Sequence, residues 1–138
     1  MNILIINGPN LKLHGTGEKP TIRYENFESF FENLRETFKD IDFTYYQSNI
    51  EGEIVNKLHE SGFSADGIIL NAGAYALTSV AIRDAIAGIK TPVVEVHTSN
   101  TLVREDFNNK SIIGPVCKGC IMGFGLQSYA MAVTTFLD

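Results

Sequence analysis

Glu95 and His97 stand one residue apart, directly after the apolar run Pro92-Val93-Val94. If that run is a strand, residues i and i+2 leave the same face, and a carboxylate lies beside an imidazole. A carboxylate so placed fixes the ring tautomer and favours the protonated form. The pair then reads as a general acid, His97, with Glu95 as its orienter, suited to protonating a leaving hydroxyl. A lone histidine is more often structural than catalytic. The strand-end position and the carboxylate partner separate His97 from His59, on the exposed side of a helical stretch, and from His14, in a loop.

Two more apolar runs end in polar residues. Leu4-Ile5-Ile6 leads into Asn7-Gly8-Pro9-Asn10, and Ile68-Ile69-Leu70 into Asn71-Ala72-Gly73. Short apolar runs separated by helical stretches read as buried parallel strands. Open α/β sheets bind their ligands at the carboxyl ends of the strands. Amides, a carboxylate and an imidazole therefore converge on one crevice. Asparagines in such places also serve simply as turn formers. The small residues around Asn71 let a ligand approach the backbone, and the N–H groups of Thr98-Ser99-Asn100 can cradle a carboxylate.

The elements that must position these residues follow from pattern. Strands are expected at Asn2–Ile6, Phe43–Gln47, Gly67–Leu70, Pro92–Val96 and Cys117–Met122. Helices are expected from Phe27 to about Lys39, at Glu51–Ser61, from a Thr78 or Ser79 cap to about Ala87, and at Gln127–Leu137, with a short helical turn at Val103–Phe107. Phe27, Phe30, Phe31, Leu34 and Phe38 recur at helical spacing, as do Ile54, Val55 and Leu58, and both stripes read as core. Alternating strands and helices imply a parallel sheet covered on both faces. Five strands suit a flavodoxin-like three-layer sandwich of order 2-1-3-4-5. The stretch from Asn7 to Asn26 is a loop of about twenty residues, a length often used for active-site lids.

The chain has 138 residues, which suits a single domain spanning 1–138, and an apolar fraction ordinary for a globule. The net charge is −5 with no lysine or arginine cluster, which argues against a nucleic-acid surface. No apolar run approaches the ~20 residues needed to span a bilayer. Without a signal-like start, a cytoplasmic location is the default. Cys117 and Cys120 form one C-x-x-C, and no second pair at zinc-site spacing accompanies it, so both read as reduced core thiols. A flavin-mononucleotide site would want a hydroxyl-rich loop after the first strand, and a phosphoacceptor receiver an aspartate where Asn71 stands. Neither fits, and neither a Walker A nor a dinucleotide fingerprint is present.

Taken together, Asn7-Gly8-Pro9-Asn10-Leu11, Gln47-Ser48-Asn49, Glu51-Gly52-Glu53, Asn71-Ala72-Gly73-Ala74-Tyr75, Thr78-Ser79-Val80-Ala81-Ile82-Arg83-Asp84, Glu95-Val96-His97 and Gly123-Phe124-Gly125 resemble type II 3-dehydroquinate dehydratase nearly end to end. The resemblance implies a flavodoxin-like fold and elimination of water from 3-dehydroquinate to give 3-dehydroshikimate in the shikimate pathway. It implies no metal and no cofactor, a small anionic substrate as partner, and a homo-oligomer, a dodecamer built from trimers. By the match, Asn10 holds a water that stabilises an enolate, Glu95 orients, and His97 protonates the leaving hydroxyl. Asn71 with the backbone of Thr98 and Ser99 holds the substrate carboxylate. Asp84 reaches toward a neighbouring subunit, and Arg104 is the first arginine after the Glu-x-His strand.

The match has departures. Aligned without a gap, the family's lid arginine becomes Gly17 and its tyrosine base becomes Ile22. A two-residue shift restores Tyr24 as base, with Arg23 or Lys19 as its cationic activator; a tyrosine needs one to work near neutrality. Leu77 replaces a pocket histidine, and Asn108 replaces a second arginine. Two other readings therefore stand beside the dehydratase: a catalytically altered paralogue acting on or binding a different small carboxylate, and a non-enzymatic ligand-binding or assembly protein.

Overall fold

A computed structural model describes residues 1–11, 26–106 and 109–137. Five parallel strands form one sheet: β1 (Asn2–Asn7), β2 (Asp42–Gln47), β3 (Gly67–Asn71), β4 (Val93–His97) and β5 (Gly119–Met122), in the order β2-β1-β3-β4-β5. The helices are α1 (Phe27–Thr37), α2 (Glu51–Ser61), α3 (Tyr75–Thr78), α4 (Val80–Gly88) and α5 (Gln127–Thr134). This is the flavodoxin-like arrangement expected from the sequence. No helix among the described residues is long and apolar enough to cross a membrane.

Side-chain alternation along the strands builds two cores. Ile3, Ile5, Ile69, Val94 and Val96 face α1 and α5, meeting Phe27, Phe30, Phe31, Leu34 and Tyr129. Leu4, Ile6, Ile68, Leu70 and Val93 face the other way, onto Ile54 and Leu58 of α2 and Ile82 and Ile86 of α4. The aromatic stripe is core, as its spacing predicts, with Phe38 only partly buried at its end. Val55, expected inward, is likewise only partly buried. Each buried Phe, Leu or Ile contributes about 1.5–3 kcal/mol to the closing of these layers.

The boundaries differ from the sequence reading in ways that have physical causes. Pro92 has no N–H to give a ladder; β4 starts at Val93, while the Pro92 carbonyl accepts from Ile68 N at 3.0 Å. β1, β3 and β4 each run one residue further than expected, to Asn7, Asn71 and His97, so these polar residues are strand residues. The expected third helix forms as α4 from the Ser79 cap, and a separate turn, α3, precedes it. α3 forms a single turn, Ser79 is extended at φ −92° and ψ 96°, and its Oγ caps α4 by accepting from Ile82 N at 2.9 Å. A 3-10 turn forms at Thr101–Val103, capped by the Asn100 side chain, which accepts from Leu102 N; the turn expected at Val103–Phe107 ends at Phe107, outside the described residues. α1 ends at Thr37 and α5 at Thr134, short of the expected Lys39 and Leu137.

The cysteines also depart from expectation. Cys117 is half-buried just before β5, and Cys120 is exposed on β5. β5 is an edge strand, so one side of these thiols has no neighbouring strand to enclose it. Both are free, as expected, but they are not core.

Ser79 is buried and carries the entry of α4 alone. Ser79→Ala is expected to destabilise the protein by about 1–2 kcal/mol, read from the midpoint of urea unfolding, because Ile82 N–H loses its acceptor. An unchanged midpoint would show that the cap carries no stability.

Candidate active site

The loops leaving β1 and β3 are pressed together. Gly8 N donates to Asn71 O at 2.8 Å, and a Cβ on Gly8 would sit 2.5 Å from the Ala72 carbonyl oxygen, so only glycine fits. Gly73 turns at φ +61°, the left-handed region that favours glycine. Asn10 is also left-handed at φ 67°, which asparagine tolerates better than most side chains. It is held from β2: Asn49 Oδ1 accepts from Asn10 N at 3.0 Å, Gln47 Nε2 donates to Gly8 O at 3.1 Å, and the Tyr75 hydroxyl donates to Asn49 O at 2.7 Å. The Gln47-Ser48-Asn49 stretch is thus scaffolding for the loop that carries Asn10.

Beyond the strand ends lies a cavity of about 290 Å³. His97, Thr98 and Ser99 form one wall, Asn71, Gly73 and Ala74 another, and Leu11, Leu77 and Arg104 complete it. His97 is buried, and its Nε2 lies 2.6 Å from Glu95 Oε2. Glu95 is 0% exposed and stands behind the ring, away from the cavity lining. Arg104 brings a cation to the mouth, its Nη2 donating to Ser99 Oγ at 2.9 Å. Leu77 presents a hydrocarbon surface. An enclosed imidazole, a guanidinium and small polar groups around this volume suit a small anionic ligand on which His97 can act as acid or base.

The asparagines of the strand ends behave differently from the imidazole. Asn7 and Asn71 are register partners on β1 and β3, and their side chains leave the face opposite to Glu95 and His97. Asn71 Nδ2 donates to the Tyr129 hydroxyl at 2.9 Å, and that hydroxyl donates to Asn7 Oδ1 at 2.6 Å. Asn7 Nδ2 donates to the Tyr45 hydroxyl at 3.1 Å, and Asn71 Oδ1 accepts from Gly73 N at 3.2 Å. Asn71 still lines the cavity, with a carboxamide already engaged by Tyr129 and Gly73. Tyr129 was not singled out by sequence reasoning, since an aromatic in an apolar helix reads as packing. Burial holds its phenol well above the ordinary tyrosine value, and burial likewise raises that of Tyr45.

The remaining sequence candidates are dispersed. Asn10 is exposed on the loop rim beside Leu11. Asp84 is exposed on α4 and does not line the cavity of its own chain. His59 is exposed, as its position on α2 predicts. His14, Gly17, Lys19, Ile22, Arg23, Tyr24 and Asn108 lie outside the described residues.

Since the fold favours the neutral phenol of Tyr129, its stabilising effect is complete below about pH 10, the ordinary tyrosine value. It is lost as the pH rises past that value toward the raised one. Wild-type unfolding free energy should therefore fall above pH 10 more steeply than that of Tyr129→Phe. Below pH 9, Tyr129→Phe should be the weaker by about 1–3 kcal/mol, because two buried carboxamides lose their shared partner. Parallel pH profiles of urea unfolding would refute this.

Comparison with known proteins places this geometry in a lineage. The family profile described as dehydroquinase class II matches residues 1–137. The 3-dehydroquinate dehydratase of a Nitratiruptor species is 48% identical over 136 residues, covering 96% of this chain and 86% of that protein. The 3-dehydroquinate dehydratase of Campylobacter lari is 45% identical over 135 residues, covering 96% and 84%. The crystal structure of type II dehydroquinase from Butyrivibrio crossotus DSM 2876 superposes with a TM-score of 0.91 at 43% identity, covering 100% of this chain and 98% of that one. The shared sheet order, the matched length and these identities establish that the chain belongs to the dehydroquinase class II family.

Proposed function

We propose that the chain, working as a single domain over residues 1–138, dehydrates 3-dehydroquinate to 3-dehydroshikimate by acid–base elimination. The observation that carries the reading is the Glu95–His97 contact of 2.6 Å at a cavity that also holds Arg104, in a chain of this family. A base removes a proton beside the ketone, and the electron pair forms an enolate. The enolate collapses to the conjugated double bond as the hydroxyl leaves with a proton from His97, giving water. Glu95 holds the ring through Nε2, which leaves Nδ1 to work on the substrate side. Arg104 and the Thr98-Ser99 backbone receive the carboxylate, with Asn71 at the opposite wall. Asn10 holds the water that steadies the enolate. Tyr24 is the proposed base, and Asn108 is proposed to bind the substrate where the family carries a second arginine. No metal or cofactor takes part.

We infer that the working form is a homo-oligomer, a dodecamer built from trimers. Asp84 faces solvent on α4 near the exposed Val80, where it can reach a neighbouring subunit's cavity. Leu102, Val103 and Phe124 are exposed apolar residues that assembly would cover.

Two experiments test the reading. With purified protein and 3-dehydroquinate at neutral pH, near-ultraviolet absorbance of the conjugated product should grow. His97→Ala should lower the rate by roughly 10²–10⁴ with folding intact, and Tyr24→Phe should do likewise. A flat trace from folded wild-type protein overturns the assignment, and an unaffected Tyr24→Phe enzyme removes that residue from the mechanism. Separately, Leu77 leaves a substrate hydroxyl unpaired on burial. Leu77→His should lower KM by about fivefold through one regained hydrogen bond of about 1 kcal/mol. A KM that stays or rises would show that no hydroxyl meets this wall.

A further inference from the structure

The Glu95–His97 pair has a third neighbour. Glu95 and Cys120 are register partners on β4 and β5, so their side chains leave the same face of the sheet. His97, two residues on from Glu95, shares that face. One ligand atom from each of Glu95, His97 and Cys120 falls within a cluster in which all lie within 4.8 Å of one another, the one such grouping among the described residues. A carboxylate oxygen, an imidazole nitrogen and a sulfur are the donor set of zinc sites that keep a fourth position open.

A second observation points to a ligand at this place. Glu95 is 0% exposed, and its Oε1 has no hydrogen-bond partner, although its Oε2 meets His97. A carboxylate oxygen enclosed without a partner is costly, and a cation is one group that can satisfy it. Gly114 lies against Oε1, where an added Cβ would be 3.1 Å away, and both Cys117 and Cys120 lie close enough to feel the Glu95 charge.

We propose that Glu95, His97 and Cys120 bind a soft divalent cation of the zinc type, and that its occupancy switches off His97 as an acid. The cation takes the place of the proton between His97 Nε2 and Glu95, which moves to Nδ1 of a neutral ring or leaves to solvent from a protonated one, and it displaces the thiol proton of Cys120, which is also released to solvent. Zn–N and Zn–O bonds of about 2.0–2.2 Å and Zn–S of about 2.3 Å require ligand separations of about 3.2–3.7 Å, so the His97–Glu95 contact opens modestly and the sulfur closes in. Cys120 is exposed on the edge strand, which gives the ion a way in. Hard cations such as Mg²⁺ lack affinity for the sulfur and are not expected to compete. Binding stands on its own; the inhibition rests on the dehydratase reading.

The test uses Co²⁺ as a spectroscopic probe on chelator-treated, reduced protein. Wild type should develop a near-ultraviolet sulfur-to-cobalt band saturating at about one ion per chain, bleached by Zn²⁺. Cys120→Ser and Cys120→Ala should lose the band and bind at least about tenfold more weakly, whereas Cys117→Ser should keep it. Zn²⁺ should also protect Cys120, and not Cys117, from alkylation mapped by mass spectrometry. In the dehydration assay Zn²⁺ should stop wild type reversibly and spare Cys120→Ser, which keeps its basal rate. A folded wild type with no band overturns the site, as does a band that survives both Cys120 substitutions or vanishes in Cys117→Ser. A band that behaves as stated in a protein with no dehydratase activity keeps the site and overturns the function reading instead.

Discussion

The contact between Glu95 and His97 depends on alternation along β4, and much of the surrounding structure exists to keep that carboxylate enclosed. Enclosing a carboxylate costs several kcal/mol before any partner is counted. His97 returns part of that through the 2.6 Å contact, and its ring is thereby fixed. The enclosure itself comes from the segment between β4 and β5. Ser111 Oγ accepts from Gly114 N, and Ile112 N donates to Ala76 O at 2.8 Å, tying the segment to α3. A 3-10 turn at Gly114–Val116 then passes over Glu95 so closely that a Cβ on Gly114 would lie 3.1 Å from Glu95 Oε1. An exposed Glu95 would be satisfied by water and would hold the ring only loosely. Its burial makes His97 the group through which that charge reaches the cavity.

The opposite face of the same strand ends is fixed by a different device. Tyr129 comes from α5, 58 residues after Asn71 in the chain, and its hydroxyl bridges the carboxamides of β1 and β3. Phe27 packs against both Tyr129 and Tyr45, so α1 seals this polar knot within an aromatic layer. Satisfied on each side, the knot sets where β1 and β3 stop and thereby where their loops begin. The loop carrying Asn10 and the turn at Gly73 are consequences of it. The cavity lies between two buried polar arrangements, one holding His97 and one holding the backbone that faces it.

How much of this could be read from the sequence follows from how local each feature is. The i, i+2 relation of Glu95 and His97 needs only the knowledge that Val93-Val94 begins a strand, and the sequence alone supports that. The sheet order follows from alternating elements. Which face Asn71 takes depends on the register of β3 against β4, and Leu70 beside Glu95 puts Asn71 on the far side. No residue type announces that. Tyr129 was missed for the same reason: its partners are distant in sequence, and its helix is otherwise apolar. The placing of Cys120 beside Glu95 is again a register property, and the edge position of β5 turned expected core thiols into accessible ones. The resemblance supplied what pattern could not, by naming Asn10, Arg104 and Asp84 without geometry.

The cavity walls also bear on which ligands can enter. Arg104 and the Thr98-Ser99 segment form a cationic and polar rim, whereas Leu77 and Leu11 are hydrocarbon. A carboxylate approaching this volume is drawn to the Arg104 side, because moving it against Leu77 would strip its hydration with nothing in return. The selectivity is one-sided, since an apolar wall rejects an added hydroxyl only weakly. A ligand is therefore sorted by its charge at one end far more strictly than by its hydroxyls at the other. On the proposed dehydratase reading, the Arg104 rim, more than the Leu77 wall, would then set which atom meets His97.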